Sequence, residues 1–151
     1  MSLVRELTGD LWRYHETGAW IAIATNGIVK ANGLAVMGAG QAKDAATRFP
    51  TLPKRLGTRL RVFGNVPHDF SDARLITWPT KAHFATEAHL SLILNGVAHI
   101  RRLLDLHQIS QLYCPRPGCG LGKLRWEDVR TALSDVVDDR FIFMSFEGGS
   151  H

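Results

Sequence analysis

The chain has 151 residues, of which 45% are hydrophobic and 21% charged, with a formal net charge of +4. That is enough chain for one domain with a core of its own, needing neither metal nor disulfide staples. No apolar run reaches the length of a membrane span, and the isoelectric point near 9.4 favours anionic ligands such as nucleotides or nucleic acid.

In chain order, Val4 to Thr8 is expected to form a short strand ending at Gly9-Asp10. Asp10 then suits the N-cap of a helical turn beginning at Leu11-Trp12. Ala19 to Ala24 is apolar without alternation, as expected of a strand covered on both faces. It runs into Thr25-Asn26-Gly27, a turn-prone triplet that puts Asn26 at the C-terminal end of that strand, the edge where open α/β sheets bind ligands. A glycine-rich loop follows, Ala31-Asn32-Gly33-Leu34-Ala35-Val36-Met37-Gly38-Ala39-Gly40. It leads into a helix from Gln41 to about Arg48, closed by Phe49-Pro50.

Leu52 to Leu60 reads as a short basic helix, and Arg61 to Gly64 and Ala73 to Trp78 as strands joined by the loop Asn65 to Asp72. The second of these strands ends in Pro79-Thr80-Lys81-Ala82-His83, which sets Lys81 and His83 just beyond a strand end. Thr86 is a candidate cap for a long helix whose Leu90, Ile93, Leu94, Val97, Ile100 and Leu104 recur at helical spacing. His89, His99 and His107 fall on or near the surface of that helix, without metal-site spacing. Ile109 to Cys114 is the next strand. Trp126, Val129, Leu133, Val136 and Val137 make the core face of a last helix, with Glu127 and Asp128 complementing its dipole in the first turn. Arg140 to Phe146 is the closing strand.

Between the strand at Cys114 and the helix at Trp126 lies Pro115-Arg116-Pro117-Gly118-Cys119-Gly120-Leu121-Gly122-Lys123-Leu124-Arg125. Glycines at 118, 120 and 122 let backbone approach a ligand closely. A strand, a glycine loop and a helix start present backbone N–H groups to an anion, so this loop is expected to cradle phosphate. Cys114 and Cys119 match no zinc spacing, and a bridge between them would pin the loop, which points to reduced thiols and a cytoplasmic protein. The alternation of strands and helices predicts a layered α/β domain over residues 1–147. Gly148 to His151 is expected to be a cloning remnant without function.

Taken together, these segments resemble a macrodomain, the ADP-ribose-binding fold, and most closely its phage-type branch, near the enzymes that remove ADP-ribose from DNA and from acidic protein side chains. The resemblance rests on Gly9-Asp10-Leu11, Ala24-Thr25-Asn26-Gly27, Val36-Met37-Gly38-Ala39-Gly40, Phe49-Pro50, Pro79-Thr80-Lys81-Ala82-His83 and Pro115 to Val129, in the family's order. It implies a three-layer α/β/α fold around a central mixed sheet of about six strands. It implies that Asp10 accepts a hydrogen bond from the adenine amine, that Leu11 and Thr25 border the ligand, and that Asn26 holds the distal ribose. Met37, Gly38, Ala39 and Gly40, with Gly118, Cys119, Gly120, Leu121 and Gly122, would wrap the diphosphate, and Phe146 would stack near the adenine. Lys81 corresponds to the catalytic lysine of the glycohydrolases, with Asn26 beside it. One lysine-dependent branch carries an acidic residue after the Gly-Cys-Gly-Leu segment, where this chain has Gly122. Other lysine-dependent members, including DNA-directed ones, look similar to this chain there, so the resemblance weakens one mechanism without removing hydrolysis.

The implied partners are ADP-ribose or ADP-ribosylated DNA or protein, bound by a monomer without metal, cofactor or membrane. Two rival expectations stand beside hydrolysis. One is a reader that binds ADP-ribose without turnover. The other is a nucleic-acid-binding module using Lys54, Arg55, Arg59, Arg101 and Arg102, a set scattered over two helices with no aromatic platform between.

Overall fold

The computed structural model describes residues 4–81 and 87–145. Its elements are β1 (Arg5–Thr8), α1 (Leu11–Glu16), β2 (Trp20–Thr25), α2 (Gly40–Arg48), α3 (Leu52–Phe63), β3 (Asp69–Phe70), β4 (Leu75–Pro79), α4 (Leu90–Leu106), β5 (Leu112–Cys114), α5 (Trp126–Leu133) and β6 (Phe141–Ser145). The strands form one six-stranded mixed sheet in the order β1-β6-β5-β2-β4-β3. All neighbours run parallel except the edge strand β3, which pairs antiparallel with β4.

Side chains alternate across a strand, so β2 feeds both layers. Ile21 and Ile23 enter a core with Leu11, Trp12, Leu52, Leu56 and Leu60 from α1 and α3. Ala22 faces the opposite core, with Ile93, Val97 and Ile100 of α4 and Val129 and Leu133 of α5. Ile21, Ala22 and Ile23 are each 0% exposed, the both-faces burial that the unbroken apolar run predicts. Full burial of each isoleucine contributes about 1.5–3 kcal/mol. The result is the three-layer α/β/α arrangement.

Several boundaries differ from those expected. Arg61 to Gly64 is not a strand: α3 continues to Phe63 and ends at Gly64, which has φ 90 and whose N–H donates to Leu60 O. Leu52, Leu56 and Leu60 bury one face at four-residue spacing, and that anchoring overrides the β-propensity of Val62 and Phe63, which stay exposed. Within the expected loop Asn65 to Asp72 lies the two-residue β3. The last helix stops at Leu133, yet Val137 is still buried because Val136 and Val137 N–H both turn back onto Leu133 O. Asp10 does cap α1: its carboxylate accepts from Trp12 N–H at 2.9 Å, a contact worth about 1 kcal/mol. Thr86 lies outside the described residues, and the N-cap of α4 is His89.

Gly57 explains how α3 can lie against the first glycine loop. A Cβ there would come within 2.0 Å of Gly33 O, and Ala35 N–H donates to Pro53 O at 2.9 Å. The loop's backbone is therefore seated directly on the helix. Cys114 and Cys119 are both buried free thiols. No described helix is long and apolar enough to cross a membrane.

Two buried histidines give the fold a pH dependence. His15 Nε2 lies 2.7 Å from Ala73 O, and His68 Nε2 lies 3.0 Å from Gly64 O. Burial is the main cause that lowers both pKa values below the ordinary 6.5, and nearby positive charge, Arg74 and Arg48 for His15 and Arg59 for His68, adds to it. Above that value both groups are neutral whether folded or unfolded, and their full contribution is present. As pH falls from 6.5 toward the folded values, the unfolded chain takes up protons first and stability is lost. Urea unfolding should therefore show lower stability at about pH 5.5 than at about pH 8, a window above the ordinary carboxylate range. A His15→Gln/His68→Gln double variant should show a smaller difference; an equal difference would contradict this assignment.

Candidate functional site

The parallel strands all end at one edge of the sheet, and their C-terminal ends enclose a cavity of about 730 Å³, a size suited to a nucleotide-like ligand. Gly9 follows β1, Met144 lies in β6, Pro115 and Arg116 follow β5, Thr25 ends β2 and Asn26 follows it, and Thr80 and Lys81 follow β4; all of them line it. The strand order reverses direction around β2, and such a switch point opens a crevice beyond the strand ends.

Two walls are the glycine loops. Met37, Gly38, Ala39 and Gly40 form one, and Gly118, Cys119, Gly120, Leu121 and Gly122 form the other, every one of them a lining residue. The first wall runs into the N-terminus of α2, where Ala39 is the N-cap and no side chain caps the helix. The N–H groups of its first turn have no intrahelical acceptor, and the helix dipole places partial positive charge there. Leu121, 65% exposed, reaches across from the second wall: a Cβ on Gly40 would stand 3.8 Å from Leu121 Cδ1.

The three glycines of the second wall have different duties. Gly118 adopts φ 78, and a Cβ there would press within 2.9 Å of Ala88, Ile93 and Leu124. At Gly122 a Cβ would lie 2.6 Å from Gly118 O and 2.7 Å from Ala88 Cβ. Gly120 has nothing within 4 Å of that position. Gly118 and Gly122 therefore seat the loop against α4 and its approach, while Gly120 faces open space. A side chain at Gly122 would have to displace the Gly118 backbone or Ala88.

At the third wall, Thr80 N–H donates to Thr25 O at 2.9 Å and Thr80 O accepts from His89 N–H at 2.8 Å. This brings Lys81 beside the turn at Asn26, whose Oδ1 accepts from Ile28 N–H at 3.0 Å. Lys81 and Asn26 thus share one end of the cavity.

Leu11 and Thr25 also line the cavity. Asp10 does not; it is exposed at the rim between Gly9 and Leu11, which do. Phe146 and His83 lie outside the described residues. Gln41, Asp44, Thr80, Arg116 and Met144 line the site without having been singled out from sequence. For Thr80 and Arg116, the signal was their place just after a strand; Gln41, Asp44 and Met144 carry no local pattern that marks them. Gln41 ties α2 to the sheet by donating to Ala22 O at 3.1 Å. Arg116 pairs with Glu6 at 3.5 Å and lies over the Trp126 ring at 5.1 Å. Burial pushes the Cys119 thiol up to about 11, against the opposing charge of Arg116, so it is protonated and a poor nucleophile near neutral pH. Among the described residues, no group of three His, Cys, Asp or Glu side chains could hold a metal ion.

Crowding at Gly122 is directly testable. Gly122→Asp should lower stability by about 1–3 kcal/mol in urea unfolding, whereas Gly120→Ala should change it by less than about 0.5 kcal/mol. Equal effects would contradict the packing roles given to these glycines.

No protein-family model and no curated protein matches the sequence. Solved structures do. The macrodomain of Mycobacterium tuberculosis DarG superposes with a TM-score of 0.71 at 24% identity, covering 95% of this chain and 98% of that one. The macrodomain of Thermus aquaticus DarG gives 0.70 at 18% identity, covering 96% and 98%. Thermosipho africanus DarTG in complex with ADP-ribose gives 0.64 at 20% identity over 87% of this chain and 38% of that one. With its mixed six-stranded sheet between two helical layers and this set of neighbours, the chain has the fold of a macrodomain.

Proposed function

We propose that the cavity binds ADP-ribose and that the protein hydrolyses the bond joining mono-ADP-ribose to a modified macromolecule, either a DNA base or an acidic protein side chain. The observation that carries this reading is Lys81 on the same cavity edge as the two glycine walls. A structural neighbour described in complex with ADP-ribose supports the choice of ligand. In this reading the diphosphate rests between Met37 to Gly40 and Gly118 to Gly122, on backbone N–H groups and the uncapped start of α2. Asn26 and Lys81 meet the distal ribose, and Asp10 reads the adenine amine at the rim. The phage-type branch is the assignment that fits these residues.

Lys81 serves hydrolysis in one of two forms. In the first, a neutral amine attacks the anomeric carbon as the bond to the modified base or carboxylate breaks; the adduct opens to an imine, and water hydrolyses it to free ADP-ribose and the amine. In the second, water attacks the anomeric carbon while the ammonium stabilises the charge that develops on the departing group. Reductive trapping with borohydride during turnover separates them, since only the first leaves ADP-ribose attached to Lys81.

One observation favours the alternative of a non-catalytic reader: Gly122 offers no carboxylate, and the loop has no space for one. The nucleic-acid-binding module is disfavoured. Arg55, Arg59 and Arg101 are engaged with Asp72, Asp69 and Asp138 respectively.

Incubation with ADP-ribosylated DNA, glutamate and serine substrates is expected to release ADP-ribose from at least one. Lys81→Ala should slow that release about 10²-fold or more. Release from none of them would leave the reader as the function, and release unchanged in Lys81→Ala would remove the lysine from the mechanism. Asp10→Ala should weaken ADP-ribose binding by about 1–3 kcal/mol in calorimetry; an unchanged affinity would leave Asp10 as the cap of α1 alone.

A further inference from the structure

We propose that Asn65 is a positioning residue for Lys81, a role that rests on the hydrolytic reading of the site. Asn65 follows the Gly64 cap of α3, 16 residues before Lys81 in sequence. Its side-chain amide donates to Lys81 O at 3.0 Å. The orientation of the carboxamide follows from chemistry, because a carbonyl oxygen can receive only the NH₂ end.

The other face of the same carboxamide lies flat on Gly27. A Cβ at Gly27 would fall 2.4–2.5 Å from Asn65 Cγ, Nδ2 and Oδ1, so only glycine leaves room for it, and Gly27 holds φ 71. Gly27 directly follows Asn26. The Asn65 carboxamide is therefore clamped between the turn that carries Asn26 and the backbone of Lys81. It joins the ends of β2, α3 and β4 at the end of the cavity where the reacting bond is placed.

Leucine would fill similar space but has no donor with which to hold the Lys81 carbonyl. Thr80 is fixed on one side of Lys81 by Thr25 and His89; Asn65 supplies the hold on Lys81 itself. Misplacing a reacting group by even an ångström is enough to slow a reaction strongly, about 10²-fold, so the effect falls on turnover and not on ligand affinity.

The test is a double-mutant cycle on kcat with the substrate that the wild type turns over best. Asn65→Asp keeps the shape but sets a carboxylate against the Lys81 carbonyl, and Asn65→Ala removes the clamp. Both should lower kcat about tenfold or more while KM and the calorimetric Kd for ADP-ribose stay within about threefold. In single-turnover measurements on the Lys81→Ala background, Asn65→Ala should cost less than about twofold, since the two residues act as one unit. Wild-type kcat in Asn65→Asp, losses that multiply across the cycle, or a parallel loss of ADP-ribose affinity and melting temperature would each overturn the positioning role. Absence of turnover in the wild type is a separate result: it defeats the hydrolytic reading, and this role with it.

Discussion

β2 and β4 pair in register from Ile21↔Leu75 to Thr25↔Pro79, and the ladder runs one step further when Thr80 N–H donates to Thr25 O. Parallel pairing carries both chains to the same edge of the sheet and releases them side by side. Everything at the Asn26 and Lys81 end of the cavity depends on that register. A slip of one residue would turn Ile21 and Ile23 out of one core and Ala22 out of the other, and it would separate Asn26 from Lys81. Burial of the β2 side chains on both faces thus fixes the placement of two polar residues that lie just past its end.

The glycine walls depend on a second constraint, close packing against helices. Gly57 lets α3 seat the first loop, and Gly118 and Gly122 let the second lie against Ala88, Ile93 and Leu124. Loops tied down in this way keep their backbone N–H groups oriented without a ligand to order them, which lowers the entropy cost of binding. The uncapped start of α2 adds partial positive charge where the first loop ends. The same packing removes any place for a carboxylate at Gly122, so the reaction proposed for this site relies on Lys81 and on groups that position it.

Much of this was legible in the sequence because it is periodic or apolar. The unbroken run Ala19 to Ala24 marked the central strand, the spacing of Ile93, Val97, Ile100 and Leu104 marked α4, and the glycine loops marked the cavity walls. The resemblance implies a common site for Asn26 and Lys81, and both residues line one cavity. Val62 and Phe63 misled because their propensity for strands is local, whereas their helical state is set by Leu52, Leu56 and Leu60 packing at a distance. β3 was missed because two residues carry no period. Gln41 and Met144 became visible only once strand ends were set side by side, and so did Asn65, whose contacts with Gly27 and Lys81 span long stretches of chain. At Gly122 the local sequence shows only the lack of a carboxylate, whereas its contacts with Gly118 and Ala88 give it a packing role.

The most direct test of the account is a crystal structure of the protein with ADP-ribose. The diphosphate is expected between Met37 to Gly40 and Gly118 to Gly122, with the anomeric carbon of the distal ribose beside Lys81 and Asn26. A ligand bound elsewhere, or bound with the distal ribose turned away from Lys81, would contradict it.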